Sequence, residues 1–140
     1  MTALMTPQAD VSAAINGFPP AVRDCHLRIR DMILSLAEDL GAGPLEETLK
    51  WGQPAYLNTT RKTGTTLRLG VTSETPARAG VYVHCQTTLV RDFRLRQDQD
   101  LAFDGNRGLL LDPEQPLPEG PLRAFISQAL TYHRDKKANG

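Results

Sequence analysis

The chain has 140 residues, 40% of them apolar and 23% charged, and its 16 Lys and Arg balance 16 Asp and Glu. That length suits a single domain, residues 1–140, with an ordered core over about residues 8–135. A balanced charge speaks against nucleic acid as a partner, because its binders carry a basic excess, and no run approaches the roughly 20 apolar residues of a membrane span.

The first ten residues lack the charged and apolar segments of a secretory leader. Two cysteines, Cys25 and Cys85, are too few for a disulfide framework. The expectation is a cytoplasmic protein with both thiols reduced.

Val11, Ala14, Ile15 and Phe18 recur at helical spacing, and Gly17 marks a stop. After Pro19-Pro20 a longer helix is expected. Its apolar stripe is Val22, Cys25, Ile29, Met32, Ile33, Leu36 and Leu40, and Gly41 suits its C-terminal cap. Leu27 and Leu34 form a second flank, so the helix would pack on a sheet and also touch the first helix or a partner. Leu45 to Trp51 reads as a strand. Gly52 and Pro54 stop it, since proline removes a backbone donor. Asn58 to Gly64 is a polar turn.

Thr65 to Val71 alternates, with Leu67, Leu69 and Val71 on one face and Arg68 and Gly70 on the other. Ser73 to Ala79 is a loop. Val81 to Gln86 alternates again: Val81, Val83 and Cys85 face inward, and Tyr82, His84 and Gln86 outward. Thr87 to Arg96 is helical. Asp104-Gly105, between two apolar runs, predicts a hairpin closed by a two-residue type I′ turn. Asp112 to Gly120 is loop, and Pro121 can open the last helix. The inner face of that helix would hold Leu122, Phe125, Ile126, Ala129, Leu130 and His133.

Sequential strands on short links imply an antiparallel sheet, and helices at both ends of the chain imply that they cover one face. The fold class is α+β: two layers, an antiparallel sheet of about five strands, helices on one side. The uncovered face would carry Arg68, Tyr82, His84 and Gln86, which an antiparallel sheet tolerates without a function.

The segment Lys50-Trp51-Gly52-Gln53-Pro54-Ala55-Tyr56 draws the eye for function. A sharp corner gains stability by burying its aromatics, each of which carries one polar handle. Such a corner at a sheet edge borders a pocket. Trp51 and Tyr56 would supply apolar and stacking contact, Gln53 would orient a ligand, and Arg68 on the neighbouring strand would pair with an anion. A small polar molecule or a protein partner fits this reading; an aromatic plug in the core is the structural alternative for Trp51. Dimerisation through Leu27 and Leu34, or along a sheet edge, is a third.

The same segment, with Glu46-Glu47 before it, strands after it and Ala129-Leu130-Thr131-Tyr132-His133 in the closing helix, resembles the YdhG-like family (domain of unknown function 1801). The resemblance spans roughly Val22 to His133. It implies an α+β domain with an antiparallel sheet and flanking helices. Some relatives are described as frataxin-like iron chaperones, which makes iron the alternative cofactor. The densest acidic patch, Glu38, Asp39, Glu46 and Glu47, would then supply hard oxygen ligands. No cysteine or histidine pair has zinc spacing, and no nucleophile with its activator can be named. The expectation is a binding domain that carries no resident cofactor.

Overall fold

A computed structural model describes residues 8–60, 62–84, 87–96 and 101–134, without the side chain of Arg96. Cys85, Gln86, Asp98 and Asp100 therefore lie outside the described residues, as does the tail from Asp135.

The first helix, α1, spans Ala9–Asn16. The second, α2, spans Pro20–Asp39 and starts on a proline, whose missing N–H would be unbonded in a first turn anyway. Its stripe is buried as the periodicity predicts, from Val22 through Cys25, Ile29, Met32, Ile33 and Leu36. His26 and Arg30 are buried on the same side. Leu34 packs partly against the core and Leu27 is 38% exposed, so the proposed second flank is split.

Six strands follow rather than about five: β1 (Glu46–Lys50), β2 (Gln53–Leu57), β3 (Leu67–Val71), β4 (Ala79–Tyr82), β5 (Ala102–Asp104) and β6 (Gly108–Leu111). All pairs are antiparallel, in the order β1-β2-β3-β4-β6-β5. The additional strand is β2, which runs straight through Pro54. The register explains why proline is tolerated. A two-residue hairpin closes on a hydrogen-bonded pair, here Lys50 and Gln53, so the next pair, Leu49 and Pro54, needs no ladder bond between its members. On the other side, the registered partners of β2 in β3 are Ala55 and Tyr56, beyond the proline.

Two other boundaries shift. The fourth strand begins at Ala79, inside the expected loop. The Asp104-Gly105 hairpin has three turn residues, 105–107, because Asp104 pairs with Gly108. Between β4 and β5 lies helix α3 (Leu89–Arg96), and helix α4 (Glu119–Leu130) closes the fold with Pro121 in its first turn.

The helices lie on one face of the sheet. Beneath them Tyr56, Leu67, Leu69, Val81, Leu109 and Leu111 point inward and join Ile29, Ile33, Phe125 and Ile126 in one core. Each such side chain, fully buried, contributes on the order of 2 kcal/mol. Phe93 stacks edge-on to Phe125 at 5.4 Å and fastens α3 to α4. Among the described residues, none of the helices α1 to α4 lies on the opposite face. Across it run three rows set by register: Thr48-Ala55-Arg68-Tyr82-Gly108, Lys50-Gln53 and Gly70-Gly80 beside that row, and Glu46-Leu57 on the far side. No helix among the described residues is long and apolar enough to cross a membrane.

Candidate functional site

The β1–β2 hairpin turns on Trp51 and Gly52, with φ of 56° and 73°. Two central residues at positive φ define a type I′ turn, which matches the twist of the flanking strands. Gly52 adopts this freely. For a bulky L-residue the left-handed region costs about 1–2 kcal/mol. Trp51 does not recover that cost by burial: it is 89% exposed. The expected plug of the core is thus a hairpin tip. The corner is held by strand pairing, and the indole is free to meet something outside the chain.

A second residue shares the strain. Lys62, in the β2–β3 loop, has φ of 52°. That loop is clamped at several points. Asn58 donates to the Ala42 carbonyl at 2.7 Å and accepts from the Thr60 amide at 3.0 Å. The Thr65 amide donates to the Ala129 carbonyl at 2.9 Å, and the His133 and Arg134 amides both donate to the Thr63 carbonyl at 3.0 Å. Gly64 lies so close to α4 that a Cβ there would meet the Leu130 and Ala129 carbonyl oxygens at 2.3 and 2.4 Å. Backbone held in sparsely populated regions persists where the surroundings over-determine it, and such residues gather at functional sites.

Both strained residues line one groove of about 650 Å³ on the helix-free face. Its floor is β2 and β3, with Leu57, Thr66 and Arg68; one end is Lys50 and Trp51, and the other is Lys62, His84, Thr87, Tyr132 and His133. Three formal cations line it, Lys50, Lys62 and Arg68, and no carboxylate does among the described residues. Arg68 donates through Nη1 to the Gln53 amide oxygen at 3.0 Å, which fixes the guanidinium above the sheet.

A second concavity of about 520 Å³ adjoins it across Arg68, and here the charges are mixed: Arg68 and Arg107 against Glu74 and Asp104. Its floor is Tyr82, whose ring lies flat on the sheet. A Cβ on Gly70, Gly80 or Gly108 would come within 2.9, 2.4 or 2.5 Å of that ring. Three small residues therefore make the bed for one large one, and Tyr82, expected to be exposed, is only 7% accessible. Arg68 and Arg107 flank the ring, 5.9 and 5.8 Å from its centroid. Burial raises the phenol pKa, and Asp104 adds to the rise.

The candidate residues separate in the fold. Trp51 and Arg68 share the groove. Gln53 reaches it only through Arg68 and lines the neighbouring concavity. Tyr56 is removed from any site: it is fully buried on the helix side, and its hydroxyl donates to Glu47 Oε2 at 2.7 Å. Burial, and then that bond, pushes its pKa far up. Glu47 in turn accepts from Arg30 Nε and, at 3.0 Å, from Arg30 Nη2.

The acidic quartet does not converge either. Glu46 and Glu47 alternate to opposite faces of β1, Glu47 is held by Arg30 and Tyr56, and Glu38 and Asp39 are exposed at the end of α2. Among the described residues no group of three or more His, Cys, Asp or Glu could hold a metal ion. Cys25 is buried, and burial pushes its thiol up to about 11, so it is no reactive thiolate.

His133 was expected on the inner stripe of the last helix. That helix ends at Leu130, and the chain turns so that His133 is exposed on the groove wall, its ring edge-on to Tyr132 at 5.2 Å. Lys50 and Lys62 also line the groove, and neither stands out in the sequence. Their one local signal was the polar, threonine-rich run 58–66 next to a lone tryptophan.

The molecule is thus an α+β domain whose helix-free sheet face carries a cationic groove tipped by an exposed indole. No family model, curated protein or solved structure matches the chain.

Proposed function

We propose that the chain is a binding domain whose open-face groove holds a small anionic molecule. One observation carries this reading: in a chain whose charges cancel, the described lining of the groove has Lys50, Lys62 and Arg68 and no acid. Segregated charge of one sign in a concavity focuses field and raises the local concentration of the opposite ion. The volume falls within the roughly 300–1,000 Å³ of ordinary small-molecule sites. Arg68 spends one donor on Gln53, which leaves most of its planar fork for a carboxylate or phosphate. Kinship with the YdhG-like domains, suggested by Lys50–Tyr56, belongs to the same proposal and leaves the ligand open.

Calorimetric titration with inorganic phosphate and with citrate at low salt is the test. Both should bind, and Arg68→Ala and Lys62→Ala should each weaken binding about tenfold, as expected for a lost charge-assisted hydrogen bond worth roughly 1.5 kcal/mol. Silence with both anions, or heats indifferent to both substitutions, would remove the anion site.

A further inference from the structure

The two ends of the groove differ in chemistry, and the difference names a ligand class. The strand beneath the groove, β2, is five residues long, about 17 Å at the usual rise. At its start stands Trp51, an almost fully exposed indole. At its end, where the chain turns into the 58–66 loop, stand Lys62, the hydroxyl-bearing Thr59 and Thr66, and the imidazoles of His84 and His133. Arg68 sits between, opposite Ala55 in the middle of β2. A cation with hydroxyls and imidazoles suits a phosphate, which offers several strong acceptors to hydrogen-bond donors. A flat aromatic face with water on it suits another flat ring.

An aliphatic tail fits poorly, because it would leave the three cations Lys50, Lys62 and Arg68 without a counter-charge. A bare phosphate leaves the indole unused, although the backbone is strained to present it.

Building on the anion reading above, we infer that the groove takes a nucleoside phosphate, the base stacked on Trp51 and the phosphate at the Lys62 end. The sugar then crosses above Arg68, whose guanidinium, pinned by Gln53, meets the phosphate or a ribose hydroxyl. Base–aromatic stacking is worth about 1–3 kcal/mol and tolerates any base, so little preference among bases is expected from Trp51 alone.

Trp51 is the only tryptophan, so intrinsic fluorescence reports on the groove. Adenosine monophosphate, ribose 5-phosphate and adenosine are titrated in parallel, by fluorescence and by calorimetry. The nucleotide should quench Trp51 saturably and bind about tenfold or more tighter than ribose 5-phosphate, the ratio that stacking supplies. Ribose 5-phosphate should bind without quenching. Trp51→Asn, which suits the turn better than tryptophan, should bring nucleotide affinity down to that of ribose 5-phosphate and leave the sugar phosphate unaffected.

Equal affinity for nucleotide and sugar phosphate, with no quenching, overturns the nucleotide assignment and leaves the anion site standing. No binding of either phosphate overturns both. Single-stranded oligoadenylate binding more than about a hundredfold tighter than the monophosphate would replace the small molecule with a polymer laid across the sheet.

Discussion

At the scale of single residues, two side chains stand against their surroundings. Trp51 occupies the first central position of a type I′ turn, where asparagine or glycine is preferred. Because its ring is exposed, removing it forfeits little burial. Trp51→Asn should therefore stabilise the protein by about 1 kcal/mol, read as a higher urea midpoint at unchanged slope. A loss of stability would mean that the indole packs in solution. His26 is the other. It is fully buried, Nε2–H donates to the Gly70 carbonyl at 2.7 Å, and Nδ1 meets no partner among the described residues.

Burial lowers the His26 pKa to about 4, against a partial rise from the Gly70 bond. Unfolded, the imidazole titrates near 6.5. Above that pH both states are neutral and the residue adds no pH dependence. As pH falls below 6.5 the unfolded chain takes up the proton first, so stability is lost progressively toward pH 4. The full loss is roughly 3 kcal/mol, at about 1.4 kcal/mol per pKa unit. Its upper part, above about pH 5, precedes most carboxylate titration. His26→Gln keeps a donor for Gly70 and should flatten stability across that upper window. An unchanged pH profile would assign the slope to other groups.

At the scale of elements, α2 is tied to the β1–β2 hairpin by one polar knot under the sheet. Arg30 and Glu47 have side chains only 5% and 13% exposed, and the Tyr56 hydroxyl completes the carboxylate's bonds. Glu47→Ala takes from the buried Arg30 guanidinium its nearest carboxylate, with Asp31 remaining at 4.0 Å, and should cost about 3–5 kcal/mol. The double substitution Arg30→Met with Glu47→Leu removes both charges and should recover most of that loss, since paired buried ions contribute little beyond an apolar pair. Chemical denaturation of the single and double variants decides this. A double variant as unstable as the single one would show that the knot specifies packing, not merely neutralises charge. The same knot explains why Tyr56 could be mistaken for a ligand group: a phenol near a carboxylate reads alike from sequence whether the pair is buried or open.

At the scale of the whole molecule, charge is balanced in sum and uneven in place. The edge strand β1 carries Glu46, Glu47 and Lys50, which guards it against pairing with another chain, and the helix-free face gathers cations into the groove. If those cations act together, phosphate binding should fall several-fold as ionic strength rises from roughly 0.05 M to roughly 0.5 M, because the screening length drops from above 10 Å to a few ångströms. Stability should change little over the same range. Binding that is indifferent to salt would point to hydrogen bonding without net charge in the groove.

Much of this architecture is written in the sequence. The stripe on α2 and the alternation in β3 each record which side of an element is buried, and that pattern suffices for an α+β domain with Arg68 and His84 on the open face. The hairpin at Trp51 was hidden because its turn breaks local preference: Asp104-Gly105 has the residues of a tight turn and makes a looser one, whereas Trp51-Gly52 lacks them and makes the tight one. Strand pairing over β1 and β2 outweighed about 1–2 kcal/mol of backbone strain. The groove depended still more on distant parts. Lys62 and His133 lie far apart in the chain and meet because the 58–66 loop docks on the end of α4. Periodicity reports how each element turns toward the core; which ends of different elements come together is settled by packing and hydrogen bonds between remote segments, and only the folded chain contains those.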